Sequence, residues 1–285
     1  MAFTVETNRR LLASKHLPPC DGPKLHAFKH RNASIKWLEL LSTPLDARSG
    51  CQGFVFKVEI KSKTYALKVF FPPSTDRPIL GPIRGRLVTD EDLAFHTDPF
   101  YAECRAYGRI QKAYGGQLPK KPYVADCYGF LALNDKDEKH LSDQGIDLWD
   151  GISSDDEYRV TAEGSPARAL VKQYVKRDTV FNGKTMERIR KGIHFMNSKG
   201  ILIRDVRSDN YQGDLLVDLG SAWTKPHCIL DNAPQHLVAE WKETDRVMFD
   251  DMVREEGLRH EARALIVGVD VSYATVASGR RRWAS

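Results

Sequence analysis

The stretch ILIRDVRSDNYQGDLLVDLG, Ile201 to Gly220, constrains this chain more than any other. Two short apolar runs end in loops that carry Asp205, Asp209, Asn210 and Asp218. Like-charged carboxylates gathered in one cleft repel, and an unpaired one withdrawn from water is costly, so such a cluster calls for a cation. The candidates are a metal, a lysine or a cationic substrate.

What precedes the stretch is rich in strand pattern. GFVFKVEI and TYALKVFF, joined by a polar turn at Lys61 to Lys63, read as a hairpin. DPFYAECRAYGRIQKAYGG offers Asp98 as an N-cap, Pro99 at the first helical position and a glycine pair after the last turn, which predicts a helix. YVADCYGFLAL and ARALVKQYV read as two further strands. Residues 182–199 set Met186, Ile189, Ile193 and Met196 on one helical face stopped by Gly200, and another helix is expected from about Val238 to Glu256. Strands followed by helices predict an α+β fold, compact and bilobal, with a cleft between the lobes. The expected layout is an N-terminal extension over 1–46, a β-rich N-lobe over 47–175 with insertions at 72–97 and 134–164, and a truncated helical C-lobe over 176–285 that ends in a basic tail.

The 285 residues are 41% hydrophobic, ample for a core. Lys and Arg number 43 against 38 Asp and Glu, a mild excess that permits a nucleic-acid or phosphate partner without requiring one. The five cysteines form no C-x-x-C pair, which predicts reduced thiols and no zinc site, and His194 and His227 stand alone at no metal-ligand spacing. No stretch approaches the length of a membrane span and no apolar leader opens the chain, so a cytoplasmic protein is expected.

The stretch resembles the catalytic and metal-binding loops of the protein-kinase fold, R-D-x-x-x-x-N then D-F-G, through Arg204, Asp205, Asn210, then Asp218, Leu219 and Gly220. Gly50, Gly53 and Val55 match the spacing of a phosphate-covering loop, Lys68 stands where the V-A-I-K lysine belongs, and Glu103 on the next helix is its expected partner. The pattern departs at Ile203, Leu219 and Arg48, lacks an A-P-E, and leaves only residues 221–285 for peptide docking. Lys172 falls near the gatekeeper position, where adenine sites are usually apolar. The pattern DPFYAECRAYGR, IRDVRSDNY, LVDLGSAWTKPH resembles a filamentous-fungal family of kinase-like proteins labelled kinetochore-subunit-like, and through it the arginine-containing cyclodipeptide synthases.

That resemblance implies three functions. The first is synthesis of an arginine diketopiperazine from arginyl-tRNA and a second charged tRNA, a secondary-metabolic reaction needing no cofactor, with the acidic cluster gripping a guanidinium. Its site would draw on Asp205, Asp218, Lys68, Glu103 and Asn210 for catalysis, and on Gly50, Gly53, Asp209, Arg204 and Tyr174 for substrate. Arg188, Arg190, Lys191, Lys120 and Lys121 would meet the tRNA, with Arg84, Arg86 and Arg280 to Arg282 as further basic groups. The second is a phosphotransferase using ATP and magnesium, the metal on Asn210 and Asp218. The third is a pseudokinase serving as an assembly module.

Overall fold

Lys61 and Ser62 turn the chain with φ values of 51° and 59°, the left-handed pair that a tight two-residue hairpin requires. Ile60 is thereby set opposite Lys63 and Gly53 opposite Phe70. In the computed structural model, residues 4–42, 52–73, 88–116, 119–150, 152–176 and 180–258 are described. The chain opens with α1 (Val5–Ala13), β1 (His16–Leu17) and β2 (Leu25–His26). Then come β3 (Lys36–Leu40), β4 (Gly53–Ile60), β5 (Lys63–Phe70), α2 (Asp90–Thr97) and α3 (Pro99–Ala113). β6 (Cys127–Ala132), α4 (Asp135–Asp143), α5 (Glu157–Ala162) and β7 (Arg168–Gln173) follow. The rest is α6 (Gly183–Ser198), the short strands β8 (Ile201–Leu202), β9 (Tyr211–Gln212), β10 (Leu215–Leu216) and β11 (Trp223–Thr224), and the helices α7 (Cys228–Asn232) and α8 (Gln235–Glu255).

The protein is a mixed α/β structure built on a five-stranded antiparallel sheet in the order β3-β4-β5-β7-β6. Strand alternation sorts side chains between its two faces. Tyr65, Leu67, Val69, Ala169 and Val171 enter one core cluster with Leu141 of α4, whereas Phe70 and Leu170 enter the other with α3 and α6. Helix α3 is buried nearly all round, from Phe100 to Gly108 and at Ile110. Asp98 caps it as expected, its carboxylate accepting from Tyr101 N–H at 3.1 Å and from Arg168 of β7 at 2.9 Å. Helix α6 buries Met186, Ile189, Ile193 and Met196, as the sequence predicts.

Three stretches differ from expectation. Residues 36–40, within the expected extension, form the first strand of the sheet, and Leu12, Leu17 and Leu25 lie in the main core. The expected insertion at 72–97 contains α2, whose Ala94 is buried in that core. The one at 134–164 contains α4 and α5. These helices are short and mostly polar, so no long apolar period announces them, yet a single buried face suffices to seat each one. The basic tail, Arg84, Arg86 and Gly50 lie outside the described residues.

Candidate functional site

The face of the sheet turned to α3 carries charge. Lys68 pairs with Leu170 across β5 and β7, and Lys172 pairs with Ala66, so the two lysines stand diagonally on neighbouring strands. Both meet Glu103 of α3, which is fully buried: Lys68 Nζ lies 3.1 Å from one oxygen, and Lys172 Nζ donates to the other. Lys68 also reaches both oxygens of Asp218 at 2.7 Å. The expected pair of Lys68 with Glu103 is therefore present, but it belongs to a larger network. Burial would depress the Lys68 pKa; Asp218 and Glu103 outweigh it and raise it above the usual lysine value.

The loop bearing Asp218 is fastened by the same groups. Lys172 Nζ donates to the Val217 carbonyl at 2.6 Å, Leu219 N–H points to Glu103 at 3.4 Å, and Gly220 N–H donates to Asp218 at 2.8 Å. Gln52 bridges from the sheet to this loop, accepting from Lys68 at 3.3 Å and donating to Ser221 Oγ at 2.9 Å. Its amide oxygen lies only 1.6 Å from where a Cβ on residue 220 would stand, so glycine is what lets Gln52 cross there. Gly53 likewise has Val69 O at 2.0 Å from its Cβ position, which explains this glycine by close strand packing.

Burial would raise the Asp218 pKa, but the charges of Lys68 and Lys172 and the hydrogen bonds from Lys68 and Gly220 hold it at about 2. An ordinary carboxylate titrates near ~4, so the folded value is the depressed one. The pairing therefore stabilises the protein fully above pH ~4 and is lost as pH falls toward ~2. Wild type should exceed Asp218→Asn in denaturant midpoint at neutral pH, and the gap should shrink across that acid window. A gap independent of pH would show that the Asp218 charge does not hold the loop.

The remaining acidic residues do not join this network. Asp205 is partly exposed and pairs with Arg207 at 3.5 Å, and Asp209 is exposed. Asn210 is buried and spends its amide on the Asp205 carbonyl at 2.8 Å, bracing the loop internally. Arg204 adopts φ 63° and lays its guanidinium 3.5 Å over the Trp223 ring, where burial lowers its pKa to about 10. Tyr174 faces Lys57, whose ammonium lies 4.9 Å from the ring centroid.

Sequence reasoning missed Asp245 of α8. This fully buried carboxylate accepts from Ile203 N–H at 2.8 Å and Arg204 N–H at 2.7 Å, clamping the loop onto the helix. Its signal was an acidic residue on the helical face shared with Phe249 and Met252. Burial raises its pKa, opposed by those two N–H groups. His227, read as solitary, lies against His96, with ring centroids 4.9 Å apart.

Among the described residues, the expected tRNA-facing groups of α6 are engaged in ion pairs. Arg188 is committed to Asp214, to the Pro122 carbonyl and to the Tyr123 ring. Arg190 pairs with Glu187 at 2.9 Å and Lys191 with the same carboxylate at 3.3 Å. Lys120 and Lys121 are exposed. Among the described residues, no helix is long and apolar enough to cross a membrane.

A family model described as kinetochore Sim4 complex subunit FTA2 matches residues 13–223. No curated protein matches the chain. The family match overturns the expectation of a tRNA-dependent cyclodipeptide synthase of secondary metabolism, together with its aminoacyl-tRNA partners, and it does not favour the phosphotransferase alternative.

Proposed function

We propose, from the premise that the chain belongs to the kinetochore Sim4 complex subunit FTA2 family, that it is a protein-assembly subunit whose inner cleft has become structural. The scaffold is kinase-like in this reading. Its support is the sheet order, Lys68 on the third strand of the sheet, Glu103 on α3, the second helix after that strand, and Asp218 in a loop beyond α6. A subunit of this kind works in the nucleus, in place of the expected cytoplasm, and its partners are other proteins.

The observation that carries the reading is the cation at Asp218. Lys68 holds both carboxylate oxygens, and Lys172 spends its charge on Glu103 and on the backbone of the same loop. A magnesium ion at Asp218 would have to share with Lys68 a carboxylate whose two oxygens that lysine already reaches, or draw the lysine back onto Glu103. Two ammonium groups thus balance two carboxylates inside the protein, and their product is a fixed loop. Of the carboxylates between Ile201 and Gly220, Asp218 has a lysine as its cation and Asp205 pairs with Arg207.

Co-expression of the full chain with the other subunits of the complex tests this. Co-elution as a stoichiometric assembly on size exclusion is expected. A folded, monodisperse chain that stays apart from all of them would contradict the proposal.

A further inference from the structure

We infer that His96, His227 and Cys228 form a binding site for a zinc-class divalent metal. Each residue offers one ligand atom, and these atoms lie within 4.8 Å of one another. Two imidazoles and a thiol are the donors that borderline-soft ions select, and zinc accepts such a three-ligand set with a fourth position for water or a partner's side chain. The inference stands on this cluster alone and is independent of the assembly reading.

The fold brings the donors together from two elements distant in sequence. His96 lies in the last turn of α2, His227 caps α7 and Cys228 is the first residue of that helix. The two elements pack through a small cluster that includes Val88, Ile229 and Leu230, with Leu93 and Cys228 against it. Asp231 accepts the His227 backbone N–H at 2.6 Å, and the Trp223 ring lies 5.1 Å from the His227 ring, so the central ligand is held in place.

A second observation points to an occupant. His96 Nδ1 is buried and has no hydrogen-bond partner among the described residues. Buried ring nitrogens are normally satisfied, and a metal would satisfy this one. The other donors are lightly committed. Cys228 Sγ has one long contact, to the Asp92 carbonyl at 3.8 Å. His227 Nδ1 accepts from Ile229 N–H at 3.2 Å, and its Nε2 faces the His96 carbonyl at 3.3 Å, both at the long end of the range. Ligation costs His227 one of these weak bonds, little beside a metal–nitrogen bond. Arg105 and Arg204 are unfavourable neighbours, cations whose charge opposes a dication; burial pushes the Cys228 thiol up to about 12, and Arg105 works against that rise, toward the thiolate that would bind.

Cobalt(II) is the probe, because thiolate ligation gives a near-ultraviolet charge-transfer band and a tetrahedral site gives strong visible bands. Titrated into metal-free full-length protein, it should saturate at one equivalent, and zinc should displace it. Cys228→Ser should lose the charge-transfer band, Cys20→Ser should keep it, and His96→Asn should weaken binding more than about tenfold. A folded wild type that shows neither band with excess cobalt would overturn the site, as would a band that survives in Cys228→Ser. Should Cys228→Ser fail to fold, the wild-type titration and His96→Asn decide the matter.

Discussion

Glu103→Gln is expected to lower the stability of the protein by about 3–5 kcal/mol in urea unfolding, among the largest effects any single change here would have. Glu103 is fully buried and serves two ammonium groups at once. The neutral amide leaves Lys172, itself only 5% exposed, without a carboxylate, and turns a donor toward one of the lysines. Removing one partner of a buried ion pair strands the other, which is why the loss exceeds the worth of any one contact. The companion variant sharpens the argument. Glu103→Leu combined with Lys172→Met removes both charges and leaves Lys68 with Asp218, so it should recover most of the lost stability. A double variant no better than Glu103→Gln would mean that the network fixes the loop through its geometry and not through charge balance.

Asp245→Ala is the second large effect, a loss of about 3 kcal/mol, since it leaves one buried and one part-buried backbone N–H without an acceptor. The cost has a local signature. The amides of Ile203 and Arg204 should lose hydrogen-exchange protection while those of α3 keep theirs. Arg204 holds a left-handed conformation unusual for its residue type, and the Asp245 clamp together with the Trp223 ring are what retain it. Unchanged exchange at these two amides would remove Asp245 from that role.

Lys172 and Asp245 mark where sequence and structure part. The hairpin, the capped start of α3, the apolar face of α6 and the pairing of Lys68 with Glu103 were all readable, because each rests on short-range chemistry: a polar turn, an Asp-Pro start, a helical period, a lysine strand before a glutamate helix. Lys172 is visible in the sequence, but the direction of its side chain is not. Once β7 is seen to be buried on both faces, alternation alone carries Arg168, Leu170 and Lys172 to the α3 side. Lys172 then reads as the partner of Glu103 and not as a misfit in a nucleotide pocket. Asp245 depends on tertiary packing between α8 and a loop some forty residues earlier, which no local pattern displays. The meeting of His96 with His227 is of the same kind.

The functional expectation failed for a related reason. The sequence leaves a metal, a lysine or a cationic substrate open as the cation of the acidic motif, and the functional readings rest on a magnesium ion or a guanidinium because the carboxylates are clustered and the lysines dispersed. The fold supplies the cation from the sheet. The sequence likewise shows the basic residues of α6 but not their pairing with Glu187 and Asp214, which the fold sets beside them.

The most direct test of the account is a calorimetric titration of magnesium-ATP into the full-length wild-type protein. Internal neutralisation of Asp218 by Lys68 predicts no saturable heat beyond dilution. Saturable one-to-one binding that disappears in Asp218→Asn would contradict it, showing that Lys68 releases the carboxylate to a metal nucleotide and that the cleft is open to chemistry.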